Sequence, residues 1–180
     1  RAGGAFMTAL LLGFIFGASE LKGLRRMQKK GQPIRDDGPE SHIVAKAGTP
    51  TMGGTLILAA VLLGTVLWGR LDNGFVWLVV MVTFSFGAIG FADDFMKVSK
   101  YSHHGVPARL RFGLGLLIAL AAGMWASFLQ PDDLSHRLAF PIFKELLWDM
   151  GYLFFPFAML VIVGSANAVN LTDGLDGLAI

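Results

Sequence analysis

The residues able to do chemistry gather in three short stretches. The richest is Asn167-Ala168-Val169-Asn170-Leu171-Thr172-Asp173-Gly174-Leu175-Asp176-Gly177-Leu178, which follows an apolar run that begins near Leu153. Asn170, Asp173 and Asp176 are three apart, so on a helix they share an arc of about 120°. Their amide and carboxylates can hold a cation or a ribose, and Gly174 and Gly177 let a ligand approach the backbone. The plain alternative is a capped, solvated helix end. Polar groups of this density where a bilayer span ends favour a functional reading.

The second stretch is Asp93-Asp94, which closes the apolar run Gly90-Phe91-Ala92 and precedes Lys97. Adjacent side chains on a helix point about 100° apart, so the two carboxylates cannot both face one ligand squarely. One is suited to bind a metal or take a proton, with the other supporting it. If the helix stops here, its dipole opposes both charges, and a divalent cation or Lys97 would relieve the repulsion. An interfacial carboxylate pair that only marks the membrane surface explains the same residues. The third stretch, Lys46-Ala47-Gly48-Thr49-Pro50-Thr51-Met52-Gly53-Gly54, leads into a helix start. Thr49 is expected as the cap and Pro50 as the first helical residue. Free N–H groups and a lysine suit an anion such as phosphate. The order of glycine and lysine is wrong for a P-loop, and an ordinary capped helix start with close packing at Gly53 and Gly54 is the alternative. His103-His104 is a weak metal signal, because neighbouring imidazoles diverge.

The elements that must position these stretches are membrane helices. Of 180 residues, 54% are hydrophobic and 16% charged, where a soluble domain carries about 25% charged residues; mean hydropathy is +0.59. With no cysteine in the chain, disulfides and thiolate metal sites do not arise. Apolar runs predict an all-α integral membrane protein with five transmembrane spans in this portion: about 3–19, 51–68, 75–92, 112–129 and 151–166. The helical pattern of the first span can continue into the basic stretch after Lys22. Pro156 either kinks the fifth span or marks a late start. Small residues at Gly113, Gly115, Ala119, Ala122 and Gly123 permit close helix contact in the fourth. The region 131–149 is mixed. The whole of 1–180 reads as one polytopic membrane domain. Because the chain opens on Arg1 and stops at Ile180 inside an apolar segment, it reads as part of a longer protein with further helices after Ile180.

Five spans put the loops around 22–48 and 93–111 on one side, together with the stretch after Asn167. That side holds eleven of the fifteen lysines and arginines. The positive-inside rule makes these two loops cytoplasmic and the N-terminus periplasmic. Basic residues 22–35 are accounted for mainly by this topology and also suit anionic lipid headgroups. Carboxylates fit for Mg²⁺, a lysine, free helix-terminal N–H groups and a sugar-capable Asn/Asp set thus share one membrane face. That equipment suits phosphoryl transfer between a water-soluble donor and a lipid acceptor.

Asp36-Asp37-Gly38-Pro39-Glu40-Ser41-His42, the Lys46–Gly54 stretch, Gly90–Asp94 and Asn167–Ala179 resemble the bacterial phospho-N-acetylmuramoyl-pentapeptide transferases (translocase I) over nearly the whole chain. The Asp-Asp and Asn-x-x-Asp-Gly-x-Asp-Gly elements resemble the wider polyprenyl-phosphate N-acetylhexosamine 1-phosphate transferases as well. The resemblance implies a Mg²⁺-dependent reaction in which undecaprenyl phosphate attacks the β-phosphate of UDP-MurNAc-pentapeptide. UMP leaves, and lipid I forms for peptidoglycan synthesis. It implies Asp93 as the group that deprotonates or orients the lipid phosphate, with Asp94 beside it and both as metal ligands. Lys46 and Asp176 would hold uridine; Thr51, Asn170 and Asp173 would line the sugar-diphosphate path; Lys97 would offset phosphate charge. Direct attack and a phospho-enzyme route are both compatible with these residues. The resemblance also implies a further Mg²⁺-binding aspartate and a His-rich loop beyond Ile180, so this portion alone is expected to be inactive. It further implies a multi-pass protein of the bacterial inner membrane, active on its cytoplasmic face, in contact with membrane lipids, as a homodimer and with no nucleic-acid partner. Where this family is rich in Lys and Arg after the Asp pair, the present chain has Tyr101, His103 and His104. A sister enzyme that takes UDP-GlcNAc is the nearest alternative. A transporter would place carboxylates mid-span within broken-helix repeats, and neither feature is present in the sequence.

Overall fold

A computed structural model describes residues 1–28, 50–100, 105–140, 142–143 and 146–172. They form five α-helices: α1 (Ala2–Met27), α2 (Gly54–Trp68), α3 (Gly74–Lys100), α4 (Ala108–Leu129) and α5 (Phe154–Thr172). A two-stranded hairpin, β1 (Arg137–Ala139) and β2 (Leu147–Asp149), lies between α4 and α5. Two compact units result, Arg1–Ala108 and Arg109–Ile180.

Length and apolarity make α1, α3, α4 and the segment Gly151–Thr172 each able to cross a membrane. With 15 residues, α2 is only about 22 Å long against a hydrocarbon core of about 30 Å. Large apolar side chains such as Phe14, Ile57, Val79, Leu117 and Leu160 are exposed. A soluble surface does not carry apolar area on this scale, whereas a lipid-facing one does. The chain is a multi-pass, all-α membrane protein, apart from its small hairpin.

In the first unit α2 packs antiparallel to α1 and to α3. The seam with α1 is built on small residues and capped by polar pairs. A Cβ at Gly64 would stand 3.2 Å from the Ala5 carbonyl oxygen, so the two backbones nearly touch. At one end Trp68 Nε1 donates to Thr8 Oγ1 (3.0 Å), with the indole lying over Gly4. At the other, Thr55 Oγ1 donates to Glu20 Oε1 (2.6 Å), with the Met52 carbonyl at 2.7 Å as its second acceptor. Against α3, Leu58 fills the space that a Cβ on Gly87 would need. Between α2 and α3, Arg70 Nη2 pairs with Asp72 Oδ2 at 2.8 Å, and this hydrogen bond holds the exposed Asp72 carboxyl below its usual range.

The second unit follows the same logic. Gly115, Ala119, Ala122 and Gly123 are the buried residues of α4. They recur at helical spacing on one face, and Gly123 faces Phe155 and Ala158 of α5. The hairpin pairs Arg137 with Asp149, Leu138 with Trp148 and Ala139 with Leu147. Asp149 Oδ1 accepts the Gly151 N–H at 2.9 Å, and Gly151 takes φ +49°, a turn suited to glycine. The ring of His136 packs against Phe154 and Phe155 at centroid distances of 5.6 and 5.2 Å.

One expectation changes, and two points that the sequence left open are decided. Pro50 does not begin α2; the helix starts at Gly54, after Met52 turns the chain with φ +76°. The helix carrying Asp93 and Asp94 does not stop there but runs on to Lys100. Lys97 lies one turn beyond the pair and offsets part of its charge, which weakens the reason for the helix to end. The mixed region 131–149 holds the hairpin. Two alternatives are also resolved: α1 runs past the predicted span to Met27, and Pro156 sits in the first turn of α5, where its missing N–H costs nothing.

Candidate functional site

At the far end of α3 from Gly74 the first unit concentrates its ionisable groups. Nineteen residues separate Gly74 from Ala92 inclusive, about 28 Å of helix and close to one hydrocarbon thickness. Asp93 and Asp94 therefore arrive where that thickness ends.

The two carboxylates differ in their surroundings. Asp93 is buried, at 7% exposure. Its Oδ2 lies 2.5 Å from Lys97 Nζ, and its Oδ1 accepts the Val106 N–H at 2.8 Å. Gly105 packs so tightly on this carboxylate that a Cβ there would collide with it. Gly105 and Val106 thus lie directly against Asp93. Asp94 is more open, with about a third of its side chain exposed. Its Oδ1 is 3.6 Å from Lys97 Nζ, and its Oδ2 accepts the Thr51 hydroxyl at 2.8 Å. One ammonium therefore serves two carboxylates, as i,i+4 and i,i+3 spacing on one helix allows. The Thr51 bond links the start of α2 to α3.

Thr51 is held in turn by a residue with no sequence signal of function. Gln28 ends α1, its own N–H bonded to Leu24 O at 2.8 Å. Its side chain is buried and makes two bonds to the Thr51 backbone: Gln28 Nε2 donates to Thr51 O (3.0 Å), and Thr51 N donates to Gln28 Oε1 (2.9 Å). Gln28 and Thr51 are 23 positions apart, so periodicity could not have paired them. The available signal was composition alone: an uncharged amide within an otherwise basic stretch.

Of the residues predicted from sequence, Thr51, Asp93, Asp94 and Lys97 come together here. Asn170 lies on α5 in the second unit and is exposed. Nearby, Asn167 Nδ2 donates to Val163 O (2.8 Å) and Thr172 Oγ1 to Val169 O (2.9 Å), so both side chains turn back on their own helix. Lys46, Asp173 and Asp176 lie outside the described residues, as do His103 and His104. A Cβ at Gly53 or Gly54 would meet no described atom within 4 Å. Close packing against the described residues therefore does not account for these glycines.

Two carboxylates, a hydroxyl and an ammonium within one cluster supply hard oxygen donors and a compensating charge. Among the described residues no group of three or more Asp, Glu, His or Cys side chains converges on one point. The pair Asp93 and Asp94 nevertheless fits Mg²⁺, which is commonly held by one or two carboxylates with water and phosphate oxygens completing the shell.

Comparison with known proteins agrees with this chemistry. Residues 76–180 match the sequence profile of Glycosyl transferase family 4, and residues 46–58 match signature 1 of the phospho-N-acetylmuramoyl-pentapeptide-transferases. Over all 180 residues the chain is 61% identical to the phospho-N-acetylmuramoyl-pentapeptide-transferase of Ruegeria sp. (strain TM1040) and 62% identical to that of Dinoroseobacter shibae. It is 53% identical to the protein of the same name from Gluconacetobacter diazotrophicus. In each case the chain spans about half of the relative's length (50%). Helices, site and sequence agree, and the chain belongs to glycosyl transferase family 4, where it resembles the phospho-N-acetylmuramoyl-pentapeptide transferases.

Proposed function

We propose that the protein of which this chain is part transfers phospho-MurNAc-pentapeptide from UDP-MurNAc-pentapeptide to undecaprenyl phosphate. The observation that carries the reading is the cluster of Asp93, Asp94, Lys97 and Thr51 at the membrane-surface end of α3. Asp93, Asp94 and Lys97 lie in the family-matched region and Thr51 within the 46–58 signature. A phosphate oxygen of the lipid attacks the β-phosphorus of the donor. The bond from that phosphorus to the bridging oxygen breaks, the electron pair leaves with UMP, and lipid I remains in the membrane.

In this reading Asp93 deprotonates or orients the lipid phosphate, with Asp94 beside it. Thr51 fixes the rotamer of Asp94 and faces the sugar-diphosphate path. Lys97 offsets phosphate charge; at 32% side-chain exposure it is reachable by a ligand while bound to both carboxylates. Gly53 and Gly54, beside which no described atom would meet a Cβ, let an anionic group approach the N-terminus of α2. Lys46 and Asp176 hold uridine, and Asn170 and Asp173 line the sugar-diphosphate path. Asp93 and Asp94 would hold Mg²⁺, which when bound neutralises and polarises phosphoryl oxygens. The positive-inside rule supports an inner-membrane protein with this site on the cytoplasmic face and its N-terminus in the periplasm. Membrane lipids surround it, and a homodimer is the expected assembly.

UMP release by the full-length protein in detergent tests the reading. The assay contains UDP-MurNAc-pentapeptide, undecaprenyl phosphate and Mg²⁺, with UDP-GlcNAc as a parallel donor and Asp93→Asn as a control. Release that requires the muramoyl donor, lipid, metal and Asp93 is the expected result. Release from UDP-GlcNAc alone moves the protein to the sister branch. No release from either donor by the folded protein refutes the transferase reading.

A further inference from the structure

We infer that Gln28 is a positioning residue of this site, setting the Thr51 hydroxyl on Asp94 by clamping the Thr51 backbone. The inference rests on the proposed transferase reading for its consequence in catalysis, and on the geometry alone for the clamp. Both ends of one buried amide are used on both backbone groups of one residue, at 2.9 and 3.0 Å. Gln28 is only 4% exposed, so water does not compete for either bond. Such a pair fixes the direction of the Thr51 backbone, and a β-branched side chain on a fixed backbone has few χ1 choices. The hydroxyl is thereby aimed at Asp94 Oδ2, 2.8 Å away.

The next residue makes the clamp necessary. Met52 has φ +76°, a conformation that a side chain larger than glycine disfavours. Backbone strain of this kind persists where the surroundings over-determine it. Without the Gln28 amide, Met52 can relax toward negative φ, and that rotation swings Thr51 away from α3. Gln28 touches neither carboxylate among the described contacts; its influence on Asp94 passes through Thr51. The Gln28 backbone N–H completes the α1 ladder to Leu24 O, while the described bonds of its side-chain amide both go to Thr51.

The test uses the full-length protein with Gln28→Met, Thr51→Val and the double variant. Gln28→Met keeps the bulk and loses both bonds. Loss of a hydrogen bond to a charged group predicts a fall in kcat of about 10- to 100-fold. KM for donor and lipid changes less than kcat, within about 3-fold, because the lost interaction acts on Asp94 beside the reacting Asp93. In the Thr51→Val background the hydroxyl is already gone, so adding Gln28→Met lowers kcat by less than about 3-fold further. A merely structural role would reduce the yield of folded protein without this non-additivity. Hydrogen exchange at the Thr51 amide gives a readout independent of activity. That amide is protected in the wild type and exchanges at least about 10-fold faster in Gln28→Met. Should Gln28→Met fail to fold, Gln28→Asn retains a buried amide too short to span both Thr51 groups, and carries the same measurements.

Unchanged kcat in Gln28→Met, or fully additive losses in the double variant, overturns the inference. Equal Thr51 exchange in the wild type and the variant overturns it as well. If the wild type releases no UMP from either donor, the transferase reading falls, and exchange at Thr51 still decides whether the clamp exists.

Discussion

Replacing Lys97 by methionine roughly keeps the length of the side chain and removes the ammonium that bridges Asp93 and Asp94. Asp93 is left with a side chain only 11% exposed and with its Val106 N–H bond intact. Removing one partner of a buried ion pair costs about 3–5 kcal/mol, because the other charge stays desolvated. Lys97 itself is 32% exposed, so solvent already screens part of the attraction, and the Val106 bond continues to stabilise the carboxylate. The expected loss is therefore about 1.5–3 kcal/mol, below the fully buried value. Asp94 adds to the sign of the effect, since two adjacent carboxylates then repel without the Lys97 charge between them. Denaturant unfolding of the full-length protein in mixed micelles measures the loss. Asp93→Asn in the Lys97→Met background removes one of the two carboxylate charges and should restore at least about 1 kcal/mol, a coupling expected of residues in direct contact. A loss under about 0.5 kcal/mol for Lys97→Met, the range of ordinary surface changes, would refute the reasoning. So would a double variant no more stable than Lys97→Met alone.

Gly105→Ala places a Cβ against the Asp93 carboxylate and should cost about 1–3 kcal/mol, as overpacking does, with parallel loss of UMP release; unchanged unfolding and activity would contradict the contact of Gly105 with Asp93. Gly64→Leu drives a side chain into the Ala5 backbone and should destabilise the α1–α2 seam by a similar 1–3 kcal/mol or about that. Gly13→Leu, where no described atom lies within 4 Å, serves as its control and should leave unfolding within about 0.5 kcal/mol. Trp68→Phe deletes the bond to Thr8 and should cost about 0.5–1.5 kcal/mol, relieved in part when Thr8 is also changed to Val. Because the chain has no cysteine, single cysteines report topology directly. Asn73→Cys should react with an impermeant maleimide on the periplasmic side, and Lys100→Cys only after the inner membrane is opened; the reverse pattern would invert the proposed orientation.

Much of the architecture could be read locally. Among the described residues the apolar runs located the four segments long enough to cross a membrane and the shorter α2, because transfer of a side chain from water to lipid is a near-additive property of each residue. The same locality gave Asp93, Asp94 and Lys97 as a cluster, since spacing on one helix decides which of them meet. Thr51 was named by the family resemblance and not by local pattern, and the predicted start at Pro50 gave way to a start at Gly54.

The remainder depended on pairing between distant segments. Whether α3 ended at Asp94 was a question of charge compensation, and the answer came from the Lys97 geometry and from Gly105 and Val106 lying against Asp93. The hairpin rests on the register of Arg137 with Asp149 across a mixed, weakly patterned sequence. Gln28 shows the limit most clearly. Its residue type is ordinary for a helix end, and only the packing of α2 on α1 and α3 brings its amide to Thr51 and Thr51 to Asp94. Sequence determined which residues enter the membrane and which carry charge, because those properties belong to each residue alone. Tertiary structure decided which polar groups satisfy one another, because a hydrogen bond between residues far apart in the chain exists only once helix register has set both ends.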